Sequence, residues 1–348
     1  MADDSGKALR VVAIGGGTGL STLLRGLKRY VATPSGTLPT ADAHCKDLPC
    51  LIRELVAVVT VTDDGGSSGR LREDFKMLPP GDVRNCMVAL SEDEHLLSRL
   101  FQFRFDQGEL QGHSFGNLFV AALSHITGDF AQAVQMSSQI LATRGRIFPA
   151  TNSNVTLAAQ MDDGTLVRGE TNITASRQRI VELMLEPPDA DPLPDTLEAI
   201  AHADLITLGP GSLYTSLITN LLVRGVPEAI ASSKATRVYV CNLMTQANES
   251  IGLTASQHIE RIQQHAHTSQ PIFDYALINT APISPMLLEK YALEGQQPIE
   301  PDLDRIRSLG VEPITGPFVH EGSVLRHDYD RVTDCLLELG LRKPRPRA

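Results

Sequence analysis

Short apolar runs and helical repeats alternate along this chain. The run at 11–14 is apolar and stops at glycine, and leucines at 20, 23, 24 and 27 then recur at helical spacing. Further strand-then-loop units follow at 55–61, 205–216, 238–250 and 275–282. This alternation is typical of a parallel sheet covered by helices. We therefore predict an α/β fold, Rossmann-like, with a mainly parallel sheet and helices on both faces.

A different pattern lies in the middle of the chain. Residues 155–161 and 165–170 alternate on either side of an Asp-Asp-Gly turn, which predicts a small antiparallel hairpin. Two helix starts are also predicted: Asp82 as an N-cap, and a second helix from about Leu118. The second helix is apolar nearly all round, so we expect it to serve the core or a homodimer interface.

These patterns divide the chain as one large domain over 10–340, with residues 1–9 as an N-terminal tail. Within it, 32–50 is rich in Pro, Thr, Ala and Asp and reads as a mobile insertion, and 154–195 holds the hairpin and a Pro- and Asp-rich connector. The basic, Pro-rich run 341–348 is expected to be a disordered tail.

Composition narrows the classes of protein. The chain has 348 residues, 42% hydrophobic, and a net charge of −10, which argues against a nucleic-acid or anionic-membrane partner. It lacks an apolar run long enough for a membrane span and begins without the apolar core of a signal peptide. Five scattered cysteines suit a reducing compartment, so we expect a cytoplasmic protein. His44, Cys45 and Cys50 lack a second pair at metal-ligand spacing, which disfavours a metal site there.

Small and polar residues follow most of the predicted strands. Because ligands of open parallel sheets bind outside the carboxyl ends of the strands, these loops predict a site at one edge. The first loop, GGGTG at 15–19, fits neither the lysine-bearing P-loop nor the full dinucleotide fingerprint, since Leu20 stands at the third glycine. Its backbone N–H groups and the following helix dipole still predict an anion site. The alternative is a structural strand–helix turn.

The richest loop is DDGGSSGR at 63–70. Asp63 and Asp64 could coordinate Mg²⁺ or hydrogen-bond a sugar hydroxyl, and Arg70 could reach a phosphate. The alternative is a surface loop whose acids cap the next helix. His113 is a candidate general base, or a structural hydrogen-bonding residue.

The later loops carry uncharged polar groups. GPGSLYTS at 209–216 is a second glycine turn before a helix, and its hydroxyls could cap the helix or donate to a phosphate. Asn242, Thr245 and Gln246 offer the donors and acceptors that a uracil edge or a sugar needs. No nucleophile motif such as G-x-S-x-G is present.

With these loops in hand, the sequence resembles the YvcK/CofD-like family, uncharacterised protein family 52, and its YvcK branch in particular. The match is carried by IGGGTGLSTLLRGLK, VTVTDDGGSSGRLRED, LPPGDVRNCMVAL, GHSFGNLFVAAL, ADLITLGPGSLYTSLITNLLVRGV and VYVCNLMTQANES. The resemblance implies a UDP-sugar ligand, especially UDP-N-acetylglucosamine, and links to gluconeogenic growth, cell shape and envelope synthesis. The CofD branch instead implies Mg²⁺-dependent transfer of a phosphorylated group, with Asp63 and Asp64 near ligand and metal. One departure is MTQANES at 244–250, where relatives often have MTQPGET.

Together, the residues and the resemblance give one set of candidates. The candidate ligand-binding residues are Gly15, Gly16, Gly17, Thr18, Gly19, Asp63, Asp64, Ser67, Ser68, Arg70, Asn117, Gly209, Gly211, Ser212, Tyr214, Thr215, Asn242, Met244, Thr245, Gln246 and Asn279. The leading hypothesis is a nucleotide-sugar-binding regulator; a CofD-type transferase that uses Mg²⁺ is the alternative. A nicotinamide-linked oxidoreductase is disfavoured by the broken fingerprint.

Overall fold

A computed structural model describes residues 8–32, 49–92, 96–176 and 178–342. Most of the predicted N-terminal tail, insertion and C-terminal tail, with His44 and Cys45, lies outside these residues. Among the described cysteines, Cys86, Cys241 and Cys335 are free thiols, whereas Cys50 is in a disulfide that its spacing did not predict.

The predicted Rossmann-like α/β fold is confirmed. Seven strands form one sheet in the order β10-β9-β8-β7-β1-β2-β3, with every neighbouring pair parallel. The strands are β1 (Leu9–Gly15), β2 (Ile52–Val59), β3 (Arg146–Pro149), β4 (Thr156–Met161), β5 (Leu166–Arg168), β6 (Ile180–Glu186), β7 (Leu205–Leu208), β8 (Thr236–Val240), β9 (Tyr275–Asn279), β10 (Glu312–Gly316), β11 (Val319–Glu321) and β12 (Leu325–His327).

Helices cover both faces of this sheet. They are α1 (Gly17–Leu27), α2 (Gly66–Phe75), α3 (Gly81–Leu90), α4 (Leu96–Gln102), α5 (Phe115–Thr127), α6 (Phe130–Ile140), α7 (Glu170–Ala175), α8 (Pro194–His202), α9 (Thr219–Leu221), α10 (Val226–Ser232), α11 (Ala255–Ala266), α12 (Pro285–Ala292), α13 (Leu303–Ser308) and α14 (Tyr329–Leu341). A 3₁₀ turn (Lys28–Tyr30) follows α1, and a π-helical turn (Leu213–Ile218) precedes α9. Among the described residues, no helix is both long and apolar enough to cross a membrane.

The two faces of β1 belong to different cores, as strand alternation requires. Val11 and Ala13 pack with α1, α3 and α14 on one side. Val12 and Ile14 belong to the other core, which contains the three-stranded sheet, α8 and elements after β7. Burial on both faces explains why β1 is apolar from Val11 to Ile14.

The order of the strands places a crevice beside β1. The chain passes from β1 to β2 on one side and later returns to β7 on the other side of β1. In open α/β sheets, ligands bind at the carboxyl edge where the strand order reverses in this way. The loops after β1 and β7 are the two glycine-rich turns that the sequence singled out.

The small antiparallel element is larger than predicted. β4 pairs with β5 as expected, but β6 adds a third strand on the other side of β4. The sequence analysis missed β6 because it lies beyond α7. A second, two-stranded sheet, β11–β12, was also missed. The predicted connector 187–195 is only partly irregular, since α8 begins at Pro194.

Both predicted helix starts were wrong. α5 begins at Phe115 because Ser114 caps it, accepting the N–H of Asn117 at 3.2 Å. Pro80, and not Asp82, precedes α3; the Asp82 carboxylate instead accepts the N–H of Gly17 at 2.7 Å. α5 is apolar but is not buried on all sides, since Ile126 is 74% exposed.

Candidate functional site

The two glycine loops pack directly against each other at the carboxyl edge of the sheet. A Cβ on Gly19 would lie 2.2 Å from the carbonyl oxygen of Pro210, so only glycine allows this approach. Gly17 has φ of +61°, a left-handed conformation, where α1 begins. The N–H groups of Thr18 and Gly19, in the first turn of α1, have no acceptor inside the helix, and both residues line the space between the loops.

Two amide side chains hold the second loop in place. Asn242 donates to the carbonyl of Gly211 at 2.7 Å and accepts the N–H of Gly211 at 3.2 Å. Gln246 donates to Ser212 Oγ at 2.8 Å and accepts the N–H of Leu213 at 3.3 Å. These amides therefore shape the loop and contact it from the β8 side.

A cavity of about 350 Å³ opens between the loops. Its lining consists of Gly16, Gly17, Thr18, Gly19, Thr22, Pro210, Gly211, Ser212, Ser216, Asn242, Leu243, Met244, Gln246, Tyr291, Leu325, Arg326 and His327. The volume is typical of a small-molecule site. Three of the predicted loops thus meet here: those after β1, β7 and β8.

The far wall of the cavity comes from α12 and β12. The Tyr291 hydroxyl accepts the N–H of Leu325 at 3.0 Å, and His327 Nε2 donates to the carbonyl of Cys241 at 3.0 Å. Burial lowers the pKa of His327 to about 4, so this ring is neutral. Arg326, between them, is exposed and brings a guanidinium to the rim.

Sequence analysis missed Tyr291 and Arg326. Neither residue follows a strand of the main sheet, and neither lies in a glycine motif. Their place depends on β12 folding back over the carboxyl edge, which local patterns do not encode. The last sixty residues contain several arginines and aromatic residues, and no local pattern distinguishes these two from the others.

A second group, the acid cluster, lies beside α1 and consists of Asp63, Asp82 and Glu170. Burial and the charge of Asp63 raise the pKa of Asp82 to about 6. The hydrogen bond from the N–H of Gly17 acts in the opposite direction but is weaker. Burial and the charges of Asp63 and Asp82 raise the pKa of Glu170 to about 9. The Glu170 carboxyl accepts the hydroxyl proton of Thr62 at 3.2 Å. At neutral pH, Glu170 is therefore protonated in the folded protein.

The acid cluster is where Mg²⁺ would fit. Within the described residues, no three His, Cys, Asp or Glu side chains converge into a metal cage. Mg²⁺ does not require one, because it commonly keeps several waters and uses one or two carboxylates together with substrate phosphates. Among the residues that the structure describes, Asp63 accepts a local N–H, from Gly65 at 2.9 Å. Asp64 accepts both the N–H and the hydroxyl of Thr171, at 2.8 and 2.6 Å, and so faces α7.

The other residues of the DDGGSSGR loop lie away from the cavity. Ser67 contacts His113 Nδ1 at 3.1 Å and accepts from Asn117 Nδ2 at 3.1 Å, and all three side chains are buried. Arg70 donates to the carbonyl of Gln111 at 2.9 Å. Ser68 is also buried, against Gly81 beneath Asp63.

The remaining candidates have structural partners. Glu249 accepts the N–H of Tyr214 and the hydroxyl of Thr215, both at 3.3 Å. Thr245 is fully buried and accepts the N–H of Gln297 at 3.0 Å. Asn279 donates to Ala281 and accepts from Phe318, outside the main cavity. Gly15 and Gly209 complete the strand ends under the loops, and Gly209 has φ of +88°.

The departure at 244–250 places an asparagine at a left-handed position of the turn. Asn248 stands where relatives often have glycine, and it has φ of +65°. Asparagine tolerates this left-handed conformation better than other residues with a side chain. Asn248 can therefore occupy the left-handed position of this turn without glycine.

Seven parallel strands wrapped by helices, with a cavity at the switch point beside β1, define an open α/β protein of the Rossmann-like class. Within that class, the family model described as 2-phospho-L-lactate transferase CofD matches residues 11–319. The chain belongs to this CofD family, whose relatives matched here are named gluconeogenesis factors.

Three matches show how close this relationship is. The gluconeogenesis factor of Halalkalibacterium halodurans is 46% identical over 95% of this chain and 97% of its own length. The gluconeogenesis factor of Bacillus subtilis is 42% identical over 96% of this chain and 99% of its own. The crystal structure of a upf0052 family member from Bacillus halodurans matches 95% of this chain and 99% of that chain, with a TM-score of 0.86.

Proposed function

We propose that this protein binds a nucleoside diphosphate sugar, UDP-N-acetylglucosamine or a close relative, in the cavity beside β1. It would act as a regulatory binding factor that links precursor supply to gluconeogenic growth, cell shape and envelope synthesis. The observation that carries the ligand class is the meeting of two glycine loops with one arginine, Arg326, around a single cavity. The family resemblance supplies the base, the sugar and the link to growth.

The lining divides into parts that suit the parts of such a ligand. Diphosphate would lie over the first turn of α1, where Thr18 and Gly19 offer N–H groups and the helix dipole favours an anion. Arg326 can reach the same charge from the opposite wall. Tyr291 and Met244 offer apolar surface for a ring, as nucleotide pockets commonly do.

Calorimetric titration with UDP-N-acetylglucosamine tests this proposal, using wild type, Arg326→Ala and Arg305→Ala. Arg305 is a matched control because it is an exposed arginine on α13, paired with Glu260 and remote from the lining. We expect micromolar binding by wild type, weakened about 10–100-fold by Arg326→Ala, since one charged hydrogen-bonding partner is lost. Arg305→Ala should bind as wild type does. Absent binding, or equal losses in both variants, would contradict the assignment.

The acid cluster favours a second candidate, a CofD-type transferase. A bound Mg²⁺ would neutralise phosphate charge and polarise a phosphoryl oxygen. Asp63 and Asp82 would hold it beside α1, and the cavity would hold the nucleotide. Analysis of the nucleotide after overnight incubation with Mg²⁺ separates the two candidates: intact ligand supports a binding factor, and Mg²⁺-dependent consumption that Asp63→Asn abolishes supports a transferase.

A further inference from the structure

The second glycine loop, at 209–216, differs from the first in the partners of its N–H groups. The N–H of Gly211 is donated to Asn242 at 3.2 Å, and the N–H of Leu213 is donated to Gln246 at 3.3 Å. Both acceptors belong to the loop after β8. In the first turn of α1, by contrast, N–H groups that line the cavity have no acceptor inside the helix. The two glycine loops therefore do not offer a ligand the same donors.

Glu249 accepts the next donors of the second loop. Its Oε2 accepts the N–H of Tyr214 and its Oε1 accepts the hydroxyl of Thr215, both at 3.3 Å. Burial raises the pKa of Glu249, and the hydrogen bonds from Tyr214 and Thr215 act in the opposite direction. A carboxylate held by N–H and O–H donors at the start of a helical turn has the surroundings of a bound anion. The chain therefore supplies its own carboxylate to this loop.

The segment that carries Glu249 is anchored to other parts of the chain. Thr245 donates its N–H to the carbonyl of Gln297 at 2.8 Å. Asn248 donates from Nδ2 to the carbonyl of Thr174, on α7, at 3.0 Å. Because these anchors do not involve the second glycine loop, they hold the Glu249 carboxylate as a support against which that loop packs.

One wall of the ligand cavity depends on the residues that Glu249 contacts. Ser212 and Ser216 line the cavity, and Tyr214 and Thr215 lie between them in the chain and are buried. The N–H of Ser216 is donated to the carbonyl of Ser212 at 3.0 Å, so the turn closes around these two buried residues. A shift of Tyr214 and Thr215 would therefore move the wall of the cavity.

We propose that Glu249 is a positioning residue of the ligand cavity: its carboxylate fills the donors of the second glycine loop, fixes the wall that this loop forms, and leaves the ligand phosphates to the first turn of α1. The proposal rests on the function proposed above and gives the two glycine loops different roles. The first loop binds the anion of the ligand, and the second is a wall that is shaped before the ligand arrives. Such preorganisation raises affinity because binding does not have to order the loop.

Glu249→Ala tests this proposal, with acetate as a replacement for the missing carboxylate. Alanine and one acetate ion together supply the heavy atoms of the glutamate side chain. By calorimetry in a chloride buffer, we expect the variant to bind UDP-N-acetylglucosamine about 10–100-fold more weakly than wild type. Acetate at the same ionic strength should restore affinity to the variant and should not raise the affinity of wild type.

Asp302→Ala is the matched control for Glu249→Ala. Asp302 likewise accepts a backbone N–H, from Ser256, and a hydroxyl, from Thr254, both at 2.8 Å, at the start of α11. It does not line the cavity, so its removal should leave the affinity unchanged. Glu249→Gln keeps one acceptor oxygen, so it should lose less affinity than Glu249→Ala, and it provides the measurement if alanine prevents folding. Glutamine binding as tightly as wild type would overturn the proposal.

Thermal unfolding, followed by circular dichroism, gives a readout that does not depend on the nucleotide. Acetate in place of chloride should raise the melting temperature of Glu249→Ala but not that of wild type. Unchanged affinity in Glu249→Ala, an equal loss in Asp302→Ala, or a loss that acetate does not reverse would each overturn the proposal. If wild type binds no UDP-N-acetylglucosamine, the proposed function fails, and the melting response to acetate alone decides whether Glu249 fills an anion position in the second loop.

Discussion

The cavity and the acid cluster lie on opposite sides of the first turn of α1, yet they differ in charge. In the cavity, a guanidinium at the rim faces glycine backbone, amides and a neutral histidine. In the acid cluster, Asp63, Asp82 and Glu170 lie close together, and burial, with repulsion between the carboxylates, raises the pKa of Asp82 and of Glu170. The cavity can accept an anion as it stands, whereas the acid cluster needs a proton or a cation. Gly17 joins the two, because its N–H is donated to Asp82 while its backbone lines the cavity.

The largest effect is expected from Gly17→Val. Valine is strained at φ of +61°, and its side chain would enter the space over the first turn of α1. We expect affinity for UDP-N-acetylglucosamine to fall at least about 100-fold by calorimetry, since both the approach of the diphosphate and the loop geometry are lost.

Gly164→Val is the control for Gly17→Val. Gly164 also has a positive φ, +86°, and has open space around it in the β4–β5 turn, far from the cavity. It should lose stability to a similar degree but bind normally. Equal binding by the Gly17 and Gly164 variants would remove the first loop from the ligand site.

The sequence predicted the cavity better than the acid cluster. Glycine loops after β1 and β7 must meet at one edge because all the strands are parallel, so their convergence follows from strand order alone. Which carboxylate faces the site does not follow in this way. Asp63 and Asp64 are neighbours, but the first lies toward Asp82 and the second toward Thr171.

The position of Glu170 and the two edge strands of the sheet could not be predicted from local sequence patterns, for physical reasons. Glu170 lies near Asp63 because α7 packs against the loop after β2, where Glu170 contacts Thr62 and Thr171 contacts Asp64. These contacts join residues about a hundred positions apart in the sequence. The edge strands β3 and β10 span only four and five residues and contain Pro149 and Pro313, so they lack a clear strand period.

Asp82→Asn should have a smaller and opposite effect. Asparagine keeps the acceptor for the N–H of Gly17 but removes a negative charge from beside the proposed diphosphate. Without Mg²⁺, we expect about 10-fold tighter binding at pH 7.5. Because the pKa of Asp82 is about 6, wild type should also bind more tightly as the pH falls from 7.5 to 5.5, whereas the variant should not change.

Asp129→Asn is the control for Asp82→Asn. Asp129 likewise accepts a backbone N–H at a helix start, from Gln132 of α6, but it does not line the cavity. Binding by this variant should equal that of wild type. If Asp82→Asn binds more weakly in Mg²⁺ than wild type does, the carboxylate serves a metal, and the acid cluster belongs to the ligand site.

The smallest effect is expected from Glu170→Gln, and it concerns stability. The pKa of Glu170 rises from 4.5 in the unfolded chain to about 9 in the folded protein, so folding takes up a proton between these values. The stability contributed by this group is therefore present below pH 4.5 and is lost as the pH rises toward 9. Glutamine is neutral throughout, so the variant should melt about 3 °C or more above wild type at pH 8.5 and equally at pH 4.5. Glu198→Gln, on the exposed side of α8, should match wild type at both values. A Glu170→Gln variant with the same pH profile as wild type would mean that the Glu170 carboxyl is solvated and ionised at neutral pH, so that burial and repulsion in the acid cluster do not keep it protonated.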